Sequence, residues 1–395
     1  MKKKIGVKLC ILFCLAFFIW SSTAVAAEKI TIGAILPLSG PISVVGLAFK
    51  RGLEMQAEKI NAQGGLKING LQYQVKIVVE DTKMSPSASS ASALKLIHKD
   101  GAKIIYGGII ESNIDAVYKV TKKEGIFYAI ASVNIPGHPA DVSPEKSNLV
   151  RLGPSYDNTH AINLDYIAKA YPSVKNIVIS APDIGYEGMI KDFESRASKK
   201  GLNVTSVIKW PFGTTDLLPV FIKIMAAKPD AIFAMVSGQG PYQLMAARQL
   251  GFKGPFIANA PMGPDVFLAI AGENSCDELI TNGVDLSKPN AEIKEVMTRW
   301  EKAYNEPFIG DSLAAWDAGS LLFKAIEKSQ STEPEKLTAA FEDMSNPGDV
   351  QVSFGEGKMT GKDRFGVNRV LSRPIPVSHM KKGKVVFSAL INPEN

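Results

Sequence analysis

Short, continuous runs of aliphatic residues alternate with amphipathic helical patterns along most of this chain, and this alternation restricts the possible folds more than any other feature. The first run is Ile30–Leu36, and the helical pattern after it has apolar residues at spacings of four, four and three between Phe49 and Ile60. Because the runs are apolar throughout, they predict strands that are buried on both faces, as in parallel sheets covered by helices.

The alternation proceeds through the first part of the chain and begins again after Leu149–Leu152. Two successive series of this kind predict an α/β protein with two doubly wound parallel-sheet lobes. The last third contains two helical patterns and then short strand-like pieces, which are too small for a third domain. We therefore expect lobe 1 to comprise 27–151 with 282–355 returning to it, and lobe 2 to comprise 152–281 completed by part of 356–395.

The N-terminus has the pattern of a secretory signal. Four lysines precede an apolar run from Leu9 to Trp20, and the small residues Ala24–Ala26 follow. The run is too short to span a bilayer comfortably, so we predict cleavage near Ala26 and export to the periplasm. Removing residues 1–26, whose four lysines have no acidic counterpart, lowers the formal net charge from +6 to +2. That correction takes away the main argument for a nucleic-acid partner.

The reactive side chains form no recognisable catalytic or metal-binding pattern. Cys10 and Cys14 lie in the predicted signal, so Cys276 has no cysteine left to pair with. The four histidines are far apart, and the nucleophile-elbow, P-loop and complete dinucleotide-binding motifs are absent. Adjacent Glu80 and Asp81 would point to opposite faces of a strand, which disfavours an acid/base pair. The sequence therefore predicts no enzyme, no metal site and no cofactor.

Polar residues follow several predicted strands at their carboxyl ends, where open α/β sheets bind ligands. In the first lobe these segments are Leu38–Pro41, Gly107–Asn113 and Ala131–Asn134, and in the second lobe Ala181–Gly188. Short hydroxyl side chains and amide N–H groups at helix N-termini suit a small anion such as a carboxylate. Each segment alone is also ordinary turn and capping chemistry. Their recurrence in both lobes is what predicts a ligand cleft.

The order of several short motifs also makes this sequence similar to those of a known protein family. The pair of Leu38–Pro41 and, about twenty residues later, Asn61–Gly65 is its most specific part, and Glu124–Ile126 and Ile270–Gly272 follow in order. The chain after the predicted signal resembles the leucine/isoleucine/valine-binding family of periplasmic solute-binding proteins for ABC transporters. The resemblance implies two lobes with three crossovers that close on a ligand, and a monomer that delivers this ligand to membrane permease subunits.

The resemblance also implies a set of ligand-binding positions. Ser132 and Asn134 fall at two carboxylate-binding positions, and either Glu111 or Ser112 falls at a third. Tyr186 lies beside the aromatic position of the second lobe. Two further positions are Trp316, where an aromatic residue packs on the ligand, and Val45, where a lid residue stands.

One position departs from the family. The acidic residue that holds the ammonium group of an amino acid is replaced here by Ala260. An ammonium buried without an anion costs several kcal/mol. Either Glu111, Asp183 or Asp265 supplies the charge from elsewhere, or the ligand has no ammonium group. The predicted ligand is therefore a small carboxylate, either a branched-chain amino acid or a des-amino, possibly aromatic, acid.

Two other functions remain open at this stage. The same two-lobe architecture serves as a ligand sensor in signalling systems, and fold alone does not separate sensing from transport. An exported hydrolase is disfavoured because no nucleophile and base can be paired by spacing, although the members of a triad need not be adjacent in sequence.

Overall fold

The computed structural model describes residues 28–40, 42–131, 141–153, 156–183, 186–235, 239–259 and 261–393. The predicted signal and the positions Ser132, Asn134 and Ala260 lie outside the described residues.

The strands are short and are distributed along the whole described chain. They are β1 Glu28–Leu36, β2 Leu66–Ile68, β3 Leu71–Asp81, β4 Ile104–Gly107, β5 Phe127–Ile130, β6 Leu149–Arg151, β7 Asn176–Pro182, β8 Asn203–Trp210, β9 Ala231–Ala234, β10 Phe256–Ala258, β11 Leu279–Thr281, β12 Val350–Val352, β13 Gly355–Thr360, β14 Val370–Ser372, β15 Ile375–Lys381 and β16 Lys384–Ile391.

The helices alternate with the strands up to β11 and then form a helical group. They are α1 Ser43–Ala62, α2 Pro86–His98, α3 Glu111–Glu124, α4 Tyr156–Ala170, α5 Glu187–Lys199, α6 Leu218–Ala226, α7 Gly240–Gln249, α8 Pro264–Ala271, α9 Ala291–Tyr304, α10 Ser312–Ser329, α11 Pro334–Glu342 and α12 Lys362–Phe365.

Within the described residues the strands form two sheets. One has nine strands in the order β12-β13-β14-β6-β5-β4-β1-β3-β2, and the other has seven in the order β16-β15-β11-β10-β9-β7-β8. The central pairs of both sheets are parallel, for example β1 with β3 and β4, and β10 with β9 and β11. Antiparallel pairs occur towards the edges. The predicted fold class, an α/β protein with two doubly wound lobes, is confirmed.

Following the described strands in order, the chain passes from one sheet to the other three times. The first passage follows β6, the second occupies residues 282–290 between β11 and α9, and the third is the short segment Arg373–Pro374 between β14 and β15. Because β13 and β14 still pair within the nine-stranded sheet, the segment that returns to the first lobe runs to Ser372, beyond the expected residue 355.

Both faces of the nine-stranded sheet are covered by apolar side chains. Ile32 and Leu36 of β1 belong to a core cluster that includes α1 and α10, whereas Ile35 belongs to a separate cluster with α2 and α3. All three side chains are fully buried. Burial on both faces explains why these strands are continuously apolar in sequence rather than alternating.

None of the described helices combines the length and the apolar character that crossing a bilayer would need.

Candidate functional site

The turn from β4 to α3 places a helix N-terminus at the carboxyl edge of the first sheet. Gly107 and Gly108 have φ angles of 134° and 82°. A Cβ atom at Gly107 would lie 2.2 Å from the carbonyl oxygen of Ile35, and one at Gly108 would lie 2.4 Å from the hydroxyl of Tyr128. Because both positions exclude a side chain, this tight turn can start α3 directly above the sheet edge. Glu111 and Ser112 are the first two residues of that helix.

The carboxylate of Glu111 is paired with a buried arginine. Nη1 and Nη2 of Arg151 donate to Oε1 and Oε2 of Glu111 at 3.3 Å each, and Nη2 also lies 3.5 Å from Oδ1 of Asp141. Arg151 is fully buried at the end of β6. The pairing commits Glu111 to an ion pair within the lobe, whereas Ser112 is exposed at the helix N-terminus. Of these two residues, Ser112 carries the hydroxyl group and has the more exposed side chain.

Sequence reasoning missed Arg151. The only signal was an arginine inside the apolar strand Leu149–Leu152, where a charged residue is rarely buried unless it is paired.

Tyr186 of the second lobe is influenced electrostatically by Glu111 of the first lobe. Its side chain is half-buried immediately before α5. Burial and, after it, the negative charge of Glu111 raise the pKa of the Tyr186 hydroxyl.

Asp183 lies near this edge but points to solvent. Its carboxylate is exposed and lies 3.9 Å from Nζ of Lys209, which also pairs with Glu187 at 2.5 Å. An exposed, screened carboxylate of this kind contributes little electrostatic attraction to a ligand.

Val45 lies in the first turn of α1, where it is half-buried and packs against the core of the first lobe. The preceding loop is held by Asp81, whose Oδ1 accepts from the backbone N–H groups of Leu38 and Lys83 at 2.9 Å each. Partial burial acts to raise the pKa of Asp81, but hydrogen bonds from Ser39, Lys83 and Leu38 outweigh it and lower the pKa. Asp81 therefore anchors the loop at the sheet edge instead of forming an acid/base pair.

Trp316 is not brought together with these residues. It is 1% exposed, its Nε1 donates to Oε1 of Glu292 at 3.1 Å, and Nζ of Lys59 lies 5.0 Å from its ring centroid. The indole is thus enclosed by α1, α9 and α10. The reason is that α10 packs this face against α1, so the side chain fills the helical layer of the lobe.

A small cavity lies at the hinge, at the second and third passages between the lobes. Its volume is about 30 Å³, and Asp265, Asn282, Val284, Asp311, Phe354 and Arg373 are among the residues that line it. In the part of the chain that the structure describes, no group of three or more histidine, cysteine or acidic residues has the geometry to hold a metal ion. The sequence analysis named Asp265 as a candidate but not Asp311. Asp311 stands at the N-terminal end of a helical pattern, where an aspartate is an ordinary capping residue.

The family model for periplasmic binding proteins matches residues 29–383. The chain belongs to this family. The match spans both lobes and all three passages between them, and it confirms the family that the motif order predicted. Members of the family are solute-binding proteins of transport systems and not enzymes, so the prediction that this periplasmic binding protein is no enzyme is also confirmed.

Proteins similar to this chain are described with two kinds of ligand, an amino acid and an aromatic acid. The periplasmic binding protein is 24% identical over 371 residues to Leu/Ile/Val-binding protein homolog 8 of Brucella suis biovar 1 (strain 1330), with 87% of each chain covered. It shares its fold with the branched-chain amino acid transporter substrate binding protein LivJ of Streptococcus pneumoniae in complex with isoleucine, at a TM-score of 0.75, 17% identity and coverage of 93% and 100%. It also shares its fold with a solute binding protein of an ABC transporter from Rhodopseudomonas palustris HaA2 in complex with p-hydroxybenzoic acid, at a TM-score of 0.76, 20% identity and coverage of 93% and 98%.

Proposed function

We propose that this protein binds a small carboxylate between its lobes in the periplasm and delivers it, as a monomer, to the permease subunits of an ABC importer. The observation that carries the proposal is the exposed Ser112 at the N-terminus of α3, the helix that begins at the carboxyl edge of the first sheet. A helix N-terminus with a free hydroxyl group favours an anion.

The neighbouring charges support the same ligand class. Arg151 neutralises Glu111 beside the helix N-terminus, so the acidic side chain repels an incoming carboxylate less than a free one would. Ser132 and Asn134 follow β5 in the sequence, and we propose that they complete the carboxylate contacts. The ligands named for similar proteins, a branched-chain amino acid and a hydroxybenzoic acid, both carry a carboxylate.

The experiment is a thermal-shift and calorimetric screen of the purified protein against L-leucine, 4-methylpentanoate, benzoate and 4-hydroxybenzoate. A solute that binds only the folded state raises the melting temperature. We expect at least one of these carboxylates to bind. Mass spectrometry of small molecules released by denaturation provides an independent identification, and recovery of ligands without a carboxylate would contradict the proposal.

The variant Ser112→Ala tests the helix N-terminus directly. We expect it to weaken binding of the best carboxylate by about tenfold, since it removes one hydrogen bond to a charged group. Ser87→Ala is the matched control, because Ser87 is likewise an exposed second residue of a helix in the same lobe. Unchanged affinity in Ser112→Ala would remove Ser112 from the site.

A further inference from the structure

A groove on the surface of the first lobe lies between α2 and α3. Its volume is about 460 Å³, and it is open to solvent. Both helices line it, with Ser87, Ser90 and Leu94 from α2 and Ala116, Lys119 and Lys123 from α3 among the lining residues. The lining includes none of the residues assigned to the carboxylate site, so this α2–α3 groove is a separate surface.

The groove exposes an apolar residue that the core of the lobe does not use. The two helices are joined by Oγ of Ser90, which donates to the carbonyl oxygen of Ala116 at 3.2 Å. Their inner faces, which include Leu96 and Val117, are buried in the core cluster beneath them. Leu94 is not part of that cluster and is 40% exposed. Its side chain therefore offers apolar surface to an external partner.

The charged side chains on the α3 side of the groove are basic. Lys119 and Lys123 are both exposed, and neither forms an ion pair within the described residues. The acidic residue of the lining, Glu124, is engaged at its Oε2 by Nε2 of His98 at 3.2 Å. Asp115, one turn before Lys119, forms no ion pair with that lysine. The two lysines therefore give the groove an uncompensated positive charge.

The α2 side of the groove is uncharged. No residue between Lys83 and Lys95 carries a charge, and Ser87 and Leu94 present a hydroxyl group and an aliphatic side chain there. One wall of the groove is thus neutral and the other is positive. A partner that fits both walls needs apolar groups along one side and negative charges along the other.

The shape and the charge of the groove exclude three other occupants. Small molecules bind in sites that enclose most of their surface, which this open groove does not do. A second copy of the chain, docked about a two-fold axis, would bring Lys119 and Lys123 of both copies to the same interface, where they repel each other. A strand would need a free sheet edge, whereas the groove lies over two helices.

We infer that the α2–α3 groove docks an acidic amphipathic helix of a partner protein. A third helix packs naturally into the groove between two others, with its apolar side chains against Leu94 and its carboxylates beside Lys119 and Lys123. A flat lipid surface would leave the concave part of the groove unfilled. The inference goes beyond the proposed function, because docking here requires no solute between the lobes.

A library of displayed helices tests the inference without assuming the sequence of the partner. One outer helix of a stable three-helix bundle carries a fixed stripe of leucines, the positions beside the stripe are randomised, and phage that display the bundle are selected on the purified ligand-free protein. We expect the recovered helices to be enriched in aspartate and glutamate at the randomised positions. Their affinity, measured by fluorescence anisotropy, should fall when NaCl is raised from about 0.1 M to about 0.5 M, since salt screens exposed charges.

Variants of the groove should weaken this binding. We expect the double variant Lys119→Glu with Lys123→Glu to bind the recovered helices at least about tenfold more weakly, because two attractions become repulsions. Lys294→Glu with Lys302→Glu is the matched control, since these lysines are exposed on α9 of the same lobe and the change in net charge is equal. Leu94→Gln tests the apolar wall without changing any charge, and we expect it to weaken binding about fivefold.

The outcomes separate this inference from the proposed function. Recovered helices without an excess of acidic residues, or equal affinity for the wild type and the groove variants, would overturn the docking groove. Flotation of the wild type, but not of the double lysine variant, with vesicles of phosphatidylethanolamine and phosphatidylglycerol at 3:1, together with failure to recover acidic helices, would assign the lysines to a membrane surface and also overturn it. A protein that binds acidic helices in the groove but binds no carboxylate would support the groove and contradict the proposed function alone.

Discussion

At the scale of single residues, Arg151 links the binding edge to the stability of the first lobe. It is fully buried, and its guanidinium contacts Glu111 and Asp141. A buried ion pair adds little net stability, but removing one partner leaves the other charge buried without compensation. The contribution of Arg151 to the stability of the first lobe is therefore best measured by substituting this residue.

We predict that Arg151→Met lowers the free energy of unfolding by about 3 kcal/mol or more, measured by urea denaturation. Lys336→Met is the control, because Lys336 pairs with Glu333 on the surface with both side chains mostly exposed. Its effect should stay below about 1 kcal/mol. Equal losses of unfolding free energy in the two variants would show that burial of Glu111 and Asp141 does not depend on the charge of Arg151.

The buried aspartates predict a dependence of stability on pH. Burial is the main cause that raises the pKa of both Asp311 and Asp317 to about 7. In the folded protein these groups hold protons that the unfolded chain releases at roughly pH 4. The unfolding free energy of the ligand-free protein should therefore fall as the pH rises from about 4 to 7.

Urea denaturation of ligand-free protein at pH 5 and pH 7.5 measures this effect. The loss of stability between the two values should be smaller in Asp311→Asn, which cannot release the proton. An identical pH dependence in wild type and variant would show that Asp311 does not contribute to it.

At the scale of elements, close packing of α1 against α10 depends on one glycine. A Cβ atom at Gly52 would lie 2.2 Å from the carbonyl oxygen of Ser312 and 3.2 Å from the backbone nitrogen of Trp316. Both neighbours are backbone atoms, which cannot move without displacing α10. The glycine is therefore retained although alanine has a higher helix propensity by about 1 kcal/mol.

We predict that Gly52→Ala lowers the melting temperature, because the clash outweighs the gain in helix propensity. Gly319→Ala in α10 is the matched control, since its Cβ would meet side-chain atoms of Gln56 and Leu53 at 3.1–3.2 Å, and these can move. Differential scanning calorimetry should show a clearly larger decrease for Gly52→Ala. A stabilised Gly52→Ala would mean that the helices separate at little cost.

Local signals explain why many elements were predictable from the sequence. A serine followed by a proline, here Ser85 and Pro86, is a typical helix start, and in the structure the hydroxyl of Ser85 accepts from the backbone N–H of Ala88 at 3.4 Å. The β2–β3 hairpin was missed, although its two-residue Asn69-Gly70 turn, with φ angles of 49° and 83°, is a strong hairpin signal.

The functional pairs were harder to predict because their partners are distant in sequence. Arg151 and Glu111 meet only because β6 and β4 both pair with β5. Asp265 and Asp311 line the same cavity although they are distant in sequence, because the cavity lies at the hinge between the two lobes. Periodicity and capping reveal single elements, whereas such contacts depend on strand order and on where the chain crosses over.

At the scale of the whole molecule, the three crossovers make a relative rotation of the lobes the expected motion. The third connection consists of only two residues between β14 and β15, and the proposed contacts lie on both lobes. A ligand that touches Ser112 on one lobe and Tyr186 on the other favours the closed arrangement by its differential affinity for it.

We predict that saturating concentrations of the best ligand decrease the radius of gyration measured by small-angle X-ray scattering. Ser112→Ala, titrated at the same ligand concentration below saturation, should show a smaller decrease. A ligand that binds tightly without any change in the scattering profile would contradict hinge closure.

The last crossover has a consequence for how the gene can be divided. Strand β14 joins the nine-stranded sheet only after β7 to β11 of the second lobe have been encoded, and β15 and β16 then return to the seven-stranded sheet. No contiguous fragment of the gene therefore encodes all strands of one lobe without strands of the other. A C-terminal truncation before residue 370 would remove strands from both sheets together. For the same reason, neither lobe could be exchanged between homologues as one contiguous segment of the gene.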